Sequence, residues 1–296
     1  MARGLDHLVL ATRDLDAAAD HYRSMGFTVG ARNRHPWGTE NRIVQMPGTF
    51  LELITLGEGI ELPAPEPETM SFARTIARQF DAHGDGFPML VVESLDAAAD
   101  KEAFDAAGIG GFRPFFFERI AVKPDGTKAR VAFTLAFAAD PAMPEAGFFA
   151  CQQHEPQNFW NPAFQRHPNG ATGVAGVVLL AETPAALVPF FEAFTASRAA
   201  CAGARNMAIV TPRGTIEAMT PDCYRDVLGL EPSLSPAGGP RLAAFKVSAP
   251  LEAMAQRLEE AGIPFLRHRR HLAVAAPDNF GTAILFEEPK AGAPRA

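Results

Sequence analysis

The chain has little of what would staple, anchor or positively charge it. Only three cysteines occur in 296 residues, Cys151, Cys201 and Cys223. Their odd number and wide, unpatterned spacing give neither a disulfide framework nor a C-x-x-C metal clip, as expected of a reducing compartment. No uninterrupted apolar run reaches the roughly 18 residues that a spanning helix needs. The start, MARGLDHLVL, carries no apolar signal core followed by a small-residue cleavage site, so a cytoplasmic protein is expected. Positive charge is short as well: 27 Lys and Arg stand against 34 Asp and Glu, a net charge of −7. That argues against a nucleic-acid partner, which normally wants a basic face, and gives no polybasic signal for anionic membranes. No G-x-G-x-x-G follows a strand, no G-x-x-x-x-G-K-[ST] loop is present, and no G-x-S-x-G elbow appears. Nucleotide-dependent and serine-hydrolase chemistry is therefore unsupported.

What remains is the profile of a globular protein, 47% hydrophobic and 21% charged. The length suggests about two domains, with a core large enough to fold without staples. Residues 4–12, GLDHLVLAT, read as a strand of aliphatic and β-branched residues. Asp14 is a plausible N-cap for the helix that follows, in which Leu15, Ala18, Ala19 and Tyr22 fall at helical spacing. Gly26 closes it. Three strand-like pieces come next, FTVGARNR, ENRIVQM and TFLELITL, separated by the turn residues HPWGT and PGT.

This strand–helix–three-strand order recurs. GFPMLVVES (86–94) precedes a helical LDAAADKEAFDAAG, and the string LDAAAD occurs at both 15–20 and 95–100. The strand-like pieces FRPFFFERIAV, ARVAFTLAFAA and GFFACQQHE follow. A third copy starts at VAGVVLLAET (174–183) and a fourth at RLAAFKVSA (241–249). Two Pro-rich stretches, ELPAPEPET (61–69) and EPQNFWNPAFQRHPNGATG (155–173), punctuate the units. The aromatics Phe159, Trp160 and Phe164 make the second an ordered packing segment rather than a disordered one.

A fourfold βαβββ repeat resembles the vicinal oxygen chelate superfamily. The stretches LDHLVLATRDLDAA, RHPWGTENRIVQM and FLELI resemble its glyoxalase-like branch; extradiol dioxygenases and bleomycin-resistance proteins are other branches. The resemblance implies an α+β fold: four tandem βαβββ units forming two cupped mixed β-sheet domains, 1–165 holding the site and 166–296 degenerate. It also implies a divalent metal (Zn, Mn, Fe(II), Ni or Co) bound by the first and fourth strands of each unit in a cup.

His7 and Glu52 match two of those ligand positions. Strand alternation puts Leu5, His7 and Val9 on one face and Phe50, Glu52 and Ile54 on another shared face. A carboxylate inside TFLELITL needs a partner or a cation. The second unit departs from the pattern, with Met89 where His7 stands, and a thioether is a poor ligand for such metals. His154, placed by alternation on one face with Ala150 and Gln152, is the candidate third ligand. A one-residue slip of register would flip that face. His35, Trp37 and Asn41 on the turn, with Gln152, Phe159 and Trp160, are candidate substrate contacts. In the second half Gly176 and Ala244 replace the histidine, Glu217 stands alone, and RHRRH (267–271) reads as a solvated basic face.

The resemblance implies a metal-dependent lyase or isomerase that chelates a small oxygenated substrate, with Glu52 and His7 as catalytic groups. An Fe(II) extradiol-type dioxygenase and a non-catalytic small-molecule-binding protein are the alternatives. The expected partner is a small molecule, and the chain is a monomer or homodimer.

Overall fold

The computed structural model describes residues 1–122, 126–234 and 238–289. The first sheet is built from β1 (Leu5–Ala11), β2 (Asn33–Arg34), β3 (Thr39–Met46), β4 (Thr49–Leu56), β5 (Gly86–Ser94), β6 (Phe115–Val122), β7 (Lys128–Ala138) and β8 (Gly147–Gln153). Its strand order is β2-β3-β4-β1-β5-β8-β7-β6. Each half is one βαβββ unit in which the first strand lies parallel to the fourth, β1 with β4 and β5 with β8. The two units meet through antiparallel β1 and β5. Helices α1 (Leu15–Ser24) and α3 (Ala97–Ala106) are the crossovers, and α2 (Phe72–His83) joins the units. The short α4 (Pro156–Phe159) follows β8.

The second sheet repeats the plan with β9 (Gly173–Leu180), β10 (Ala199–Ala202), β11 (Asn206–Val210), β12 (Thr215–Met219), β13 (Arg241–Ser248), β14 (Leu266–His268), β15 (His271–Val274) and β16 (Ala283–Glu287). Its order, β10-β11-β12-β9-β13-β16-β15-β14, is that of the first sheet, unit for unit. Helices α5 (Val188–Thr195) and α7 (Leu251–Glu260) are its crossovers, and α6 (Pro221–Leu228) joins its units. The fold is thus α+β, with two repeated vicinal-oxygen-chelate-type domains. Among the described residues no helix is long and apolar enough to cross a membrane.

Local chemistry starts the helices where the sequence suggests. The Asp14 carboxylate accepts from the Ala17 N–H at 2.9 Å, and the Asp96 carboxylate accepts from Ala98 and Ala99 at 3.1 Å. Each cap of this kind contributes about 1 kcal/mol. Each return helix is thus opened by an aspartate at the end of a strand, although LDAAAD sits in two registers: Asp14 precedes the first copy, and Asp96 is the second residue of the other. Ser71 caps α2 in the same way, and Thr220 caps α6. Neither α2 nor α6 belongs to the repeat as read from sequence. Both lie between units and pack on a concave sheet face: Ile76 and Phe80 of α2 against Val9, Met89 and Val91, and Cys223, Tyr224 and Leu228 of α6 against Val178, Leu180 and Leu285.

Three local expectations change. FTVGARNR is a strand only at Asn33–Arg34; before it, Thr28 N–H donates to the His167 ring at 2.9 Å and Gly30 N–H alone bonds to β3, at Ile43 C=O. RHRRH is a tight hairpin rather than a strand face: Arg269 takes a left-handed φ of 50°, and Arg267 pairs with Glu252 at 2.8 Å. Leu5 does not share a face with His7. A bulge between them in the β1–β5 ladder turns Leu5 into the core with Leu8 and Leu10. It leaves the adjacent Asp6 and His7 side chains together, and that irregularity makes the site.

Candidate functional site

The concave face of the first sheet encloses a cavity of about 60 Å³. One water occupies about 10–15 Å³ on this measure, so a few small groups fit. Its walls are mostly aromatic, with Trp37, Phe50, Phe72, Phe117, Phe149 and Phe159 among them. The polar groups facing it are His7, His35, Asn41, Glu52, Arg119 and Cys151.

His7 is 5% exposed. Its ring stacks on Phe50 at 4.2 Å and 12°. Asp6 Oδ2 lies 2.6 Å from His7 Nδ1, and Gln153 Nε2 donates to Asp6 Oδ1 at 3.1 Å. An ionised carboxylate only accepts, so Nδ1 carries the proton and Nε2 presents its lone pair to the cavity. That lone pair faces Glu52 Oε2 at 3.8 Å. The gap is too long for a direct hydrogen bond and suits a bridging oxygen.

The other Glu52 oxygen, Oε1, accepts from Asn41 Nδ2 at 2.5 Å and lies 3.8 Å from His35 Nε2. Asn41 also donates to His35 Nε2 at 3.3 Å, while His35 Nδ1 lies 2.8 Å from Thr39 Oγ1. His35 is therefore neutral, with its proton on Nδ1. Burial pushes its pKa below the ordinary 6.5, against the pull of Glu52 and together with the Arg119 charge. Trp37 stacks on it at 4.5 Å. His35 holds Asn41, and Asn41 holds Glu52 with Oε2 open to the cavity. Cys151 stays a protonated thiol: burial, then the Asp6 and Glu52 charges, push its pKa well above the usual 9.0.

Burial also depresses His21, His167 and His271. In the unfolded chain all four rings take up protons below about pH 6.5 that the native rings refuse. The unfolded state then binds more protons, so stability falls as pH drops below 6.5. A Tm lowered between pH 7.5 and 5.5, with a shallower slope in His35→Gln, is the expected result. A flat or rising Tm contradicts it.

The structure brings together His7, Glu52, His35, Trp37, Asn41 and Phe159, and it separates the rest. His154 is exposed, its ring bonded to Thr134 Oγ1 at 2.7 Å and beside Phe116. Gln152 caps α3, accepting from Ala97 N–H and donating to Leu95 C=O. The face of β8 was read one residue out of step: Phe149, Cys151 and Gln153 point to the cup, and Ala150 and Gln152 away. Trp160 stands behind the wall, 5.9 Å from Phe50. His167 is structural, bonded to Thr28 N–H and Gln45 C=O. Asp6, Arg119 and Gln153 were missed. Arg119 had a signal, since FFFER alternates Phe115, Phe117 and Arg119 onto one face. Asp6 had none, because a regular strand would turn it away from the side His7 takes.

Relatives of this fold commonly use a divalent metal, and the donor set can be tested against one. Val9 is level with Glu52 on β1–β4, and Val91 with Phe149 on β5–β8. Across β1–β5, His7 faces Val91 and Val9 faces Met89. The unit repeat therefore carries His7 onto Met89 and Glu52 onto Phe149. Two of the four ligand positions hold a thioether and a phenyl ring, and the expected third ligand, His154, is elsewhere. Among the described residues no three His, Cys, Asp or Glu side chains are arranged to hold a metal ion. The residues present do not fit that metal. In the second cup Glu217 is not alone: Lys246 pairs with it at 2.6 Å, and α6 fills the space.

A family model described as a glyoxalase-like domain matches residues 5–195. No curated protein sequence matches the chain. Among solved structures, a hypothetical protein from Staphylococcus aureus superposes with a TM-score of 0.69 at 12% identity, covering 97% of this chain and 100% of that one. A variant of 4-hydroxymandelate synthase from Streptomyces coelicolor gives 0.54 at 13%, covering 99% and 95%. The 2,2',3-trihydroxybiphenyl 1,2-dioxygenase of Sphingomonas wittichii gives 0.51 at 14%, covering 98% and 91%. At these identities the likeness is one of fold.

Proposed function

The chain belongs to the glyoxalase-like domain family, and from that premise we propose that its first cup is the active site of an isomerase or lyase that moves a proton on a small oxygenated substrate. One observation carries the reading. A sheltered carboxylate oxygen, Glu52 Oε2, and an imidazole nitrogen, His7 Nε2, face each other across 3.8 Å. Each is fixed from behind, Glu52 by Asn41 and His7 by Asp6. Glu52 Oε2 takes a proton from a carbon next to a carbonyl and returns a proton, exchanged with solvent in the interval, to carbon in the product. His7 Nε2 takes the proton of the neighbouring hydroxyl and returns it to the product, and Asp6 stabilises the imidazolium that forms in between. The aromatic walls exclude water, which strengthens both charges.

No step needs the divalent metal expected from the resemblance, since half of its ligand positions are apolar. The same defect weighs against the extradiol-type reading, which needs two histidines and a carboxylate on one iron. A non-catalytic binding protein has a use for the aromatic walls but none for a histidine oriented by a carboxylate towards a second carboxylate.

The test is solvent-proton exchange. In deuterated buffer, a panel of small 2-hydroxyaldehydes, 2-hydroxyketones and 2-oxo acids is followed by proton NMR. Deuterium entry next to the carbonyl of at least one member is expected, and prolonged chelation with EDTA should leave its rate unchanged. A rate that falls more than about tenfold on chelation and returns with added Zn, Mn, Fe(II), Ni or Co overturns the metal-free mechanism. No exchange with any member overturns the proton-transfer reading.

A further inference from the structure

Arg119 is a cation that the described residues leave without a contact partner. It is half-buried on β6, two residues after Phe117 and on the same face. Among the described residues its side chain makes no hydrogen bond and no ion pair. Three other sheltered arginines are matched by carboxylates: Arg3 with Asp100, Arg42 with Asp16 and Arg213 with Glu93. A half-buried guanidinium with five idle donors carries a desolvation cost that only the charge of Glu52, acting at a distance, offsets.

Its position is specific. Arg119 lines the cup cavity and also an adjoining hollow of about 110 Å³; Ile43 and Phe159 are shared by both as well. The amides of that hollow are engaged elsewhere. Gln45 donates to Phe159 C=O and accepts from Asn161 N–H, and Asn33 donates to Ala31 C=O and Asn41. A second idle donor sits on the same wall. Among the described residues the Trp37 indole N–H is buried with no acceptor, and its ring packs 5.0 Å from Phe117. Two unsatisfied donors beside one cavity call for an acceptor from outside the chain.

We propose that Arg119, assisted by the Trp37 indole N–H, is a binding subsite for a carboxylate group of the substrate whose reacting carbon lies over Glu52. The inference rests on the reading of the cup as the substrate site. A planar carboxylate matches the guanidinium fork. A phosphate matches it too, but would set up to two negative charges in a small aromatic cavity that already holds Glu52; a carboxylate brings one. The substrate class is then a small 2-hydroxy or 2-oxo acid, and Arg119 sets specificity while Glu52 and His7 handle protons.

The experiment separates charge from shape. Lactate, its neutral isostere lactamide, and inorganic phosphate are titrated by NMR against the full chain and its variants. The native protein should bind lactate at least about tenfold more tightly than lactamide, a difference of about 1.4 kcal/mol, and phosphate no more tightly than lactate. Arg119→Gln should bring the lactate-to-lactamide ratio to within about twofold while leaving lactamide binding intact. Arg119→Lys should keep part of the preference, because it keeps the charge and loses the fork. Glu52→Gln, which removes a like charge, should tighten lactate. Loss of an unpaired sheltered charge should leave the Tm of Arg119→Gln at or above the native value, so misfolding is read directly. No preference in the native protein, or a preference that survives Arg119→Gln, overturns the proposal, and tighter binding of phosphate overturns the carboxylate assignment. Arg119-dependent lactate binding without proton exchange would sink the enzymatic reading and leave the subsite. Exchange with an unmoved ratio would do the reverse.

Discussion

Glu52→Gln is expected to slow solvent-proton exchange by about 10²–10⁴-fold, the usual contribution of a positioned acid–base group, without loss of fold. Glutamine keeps the size and planarity of the side chain, so Asn41 still has an oxygen to donate to and the Phe50 and Ile54 neighbours still pack. The change removes the carboxylate oxygen that takes the carbon-bound proton and leaves His7 Nε2 in place. It also removes a sheltered negative charge that no cation contacts directly: the two imidazoles stand 3.8 Å away, and Arg119 makes no ion pair with it. The Tm of Glu52→Gln should therefore equal or exceed the native Tm. Lost exchange with an unchanged or raised Tm is the signature of a group kept for chemistry at a cost in stability. Exchange within about threefold of native would assign the proton transfer elsewhere, and a large drop in Tm would make Glu52 a structural acceptor.

The repeat made most of this fold legible. Strand alternation, Asp caps and the duplicated LDAAAD string each encode a local event that is stable in its own right, so four units could be counted before any contact was known. The helices α2 and α6 escaped because they stand outside the repeat, and their packing on concave faces follows from the cups and not from their own sequence. At the site, His7, Glu52, Asn41 and the RHPWG turn were readable because β1, β4 and β3 pair regularly from His7 onward. His154 and Gln152 were misread because a one-residue error on β8 inverts every side chain. Asp6 was invisible because a bulge, which no residue type in LDH announces, turns it beside His7. The expected ligand set is incomplete through the same asymmetry: Met89 is visible in the sequence, whereas Phe149 as the counterpart of Glu52 needed the register of β5 with β8.

Gly281→Ala is expected to lower stability by about 2–5 kcal/mol, and the reason bears on why a second half without a cup site is present. Gly281 has a φ of +74°, and a Cβ there would lie 1.9 Å from the backbone oxygen of Asp85. The strained conformation costs an alanine about 1–2 kcal/mol, and relieving a backbone clash of this kind typically adds 1–3 kcal/mol. For a chain of this size that corresponds to a Tm lowered by roughly 5–15 °C. Gly59→Ala is the control. It has nearly the same φ, +70°, and nothing within 4 Å of its Cβ, so it isolates the conformational part, and a Gly281→Ala variant that melts within about 2 °C of it would refute the clash. The contact joins the second sheet's last loop to the corner between α2 and β5. Asp85 anchors that corner by accepting from Arg13 N–H at 2.9 Å and Thr12 Oγ1 at 3.2 Å. Next to Gly281, Asn279 bonds His21 of α1 at 3.2 Å. Phe72 of α2 and Met89 of β5 pack against the first cup, so displacing Asp85 shifts one wall of the candidate active site. The second domain then acts as a buttress, its own cup closed by α6 and by the Lys246–Glu217 pair. Gly281→Ala should accordingly weaken lactate and lactamide binding equally, a loss of shape that no change at Arg119 would produce.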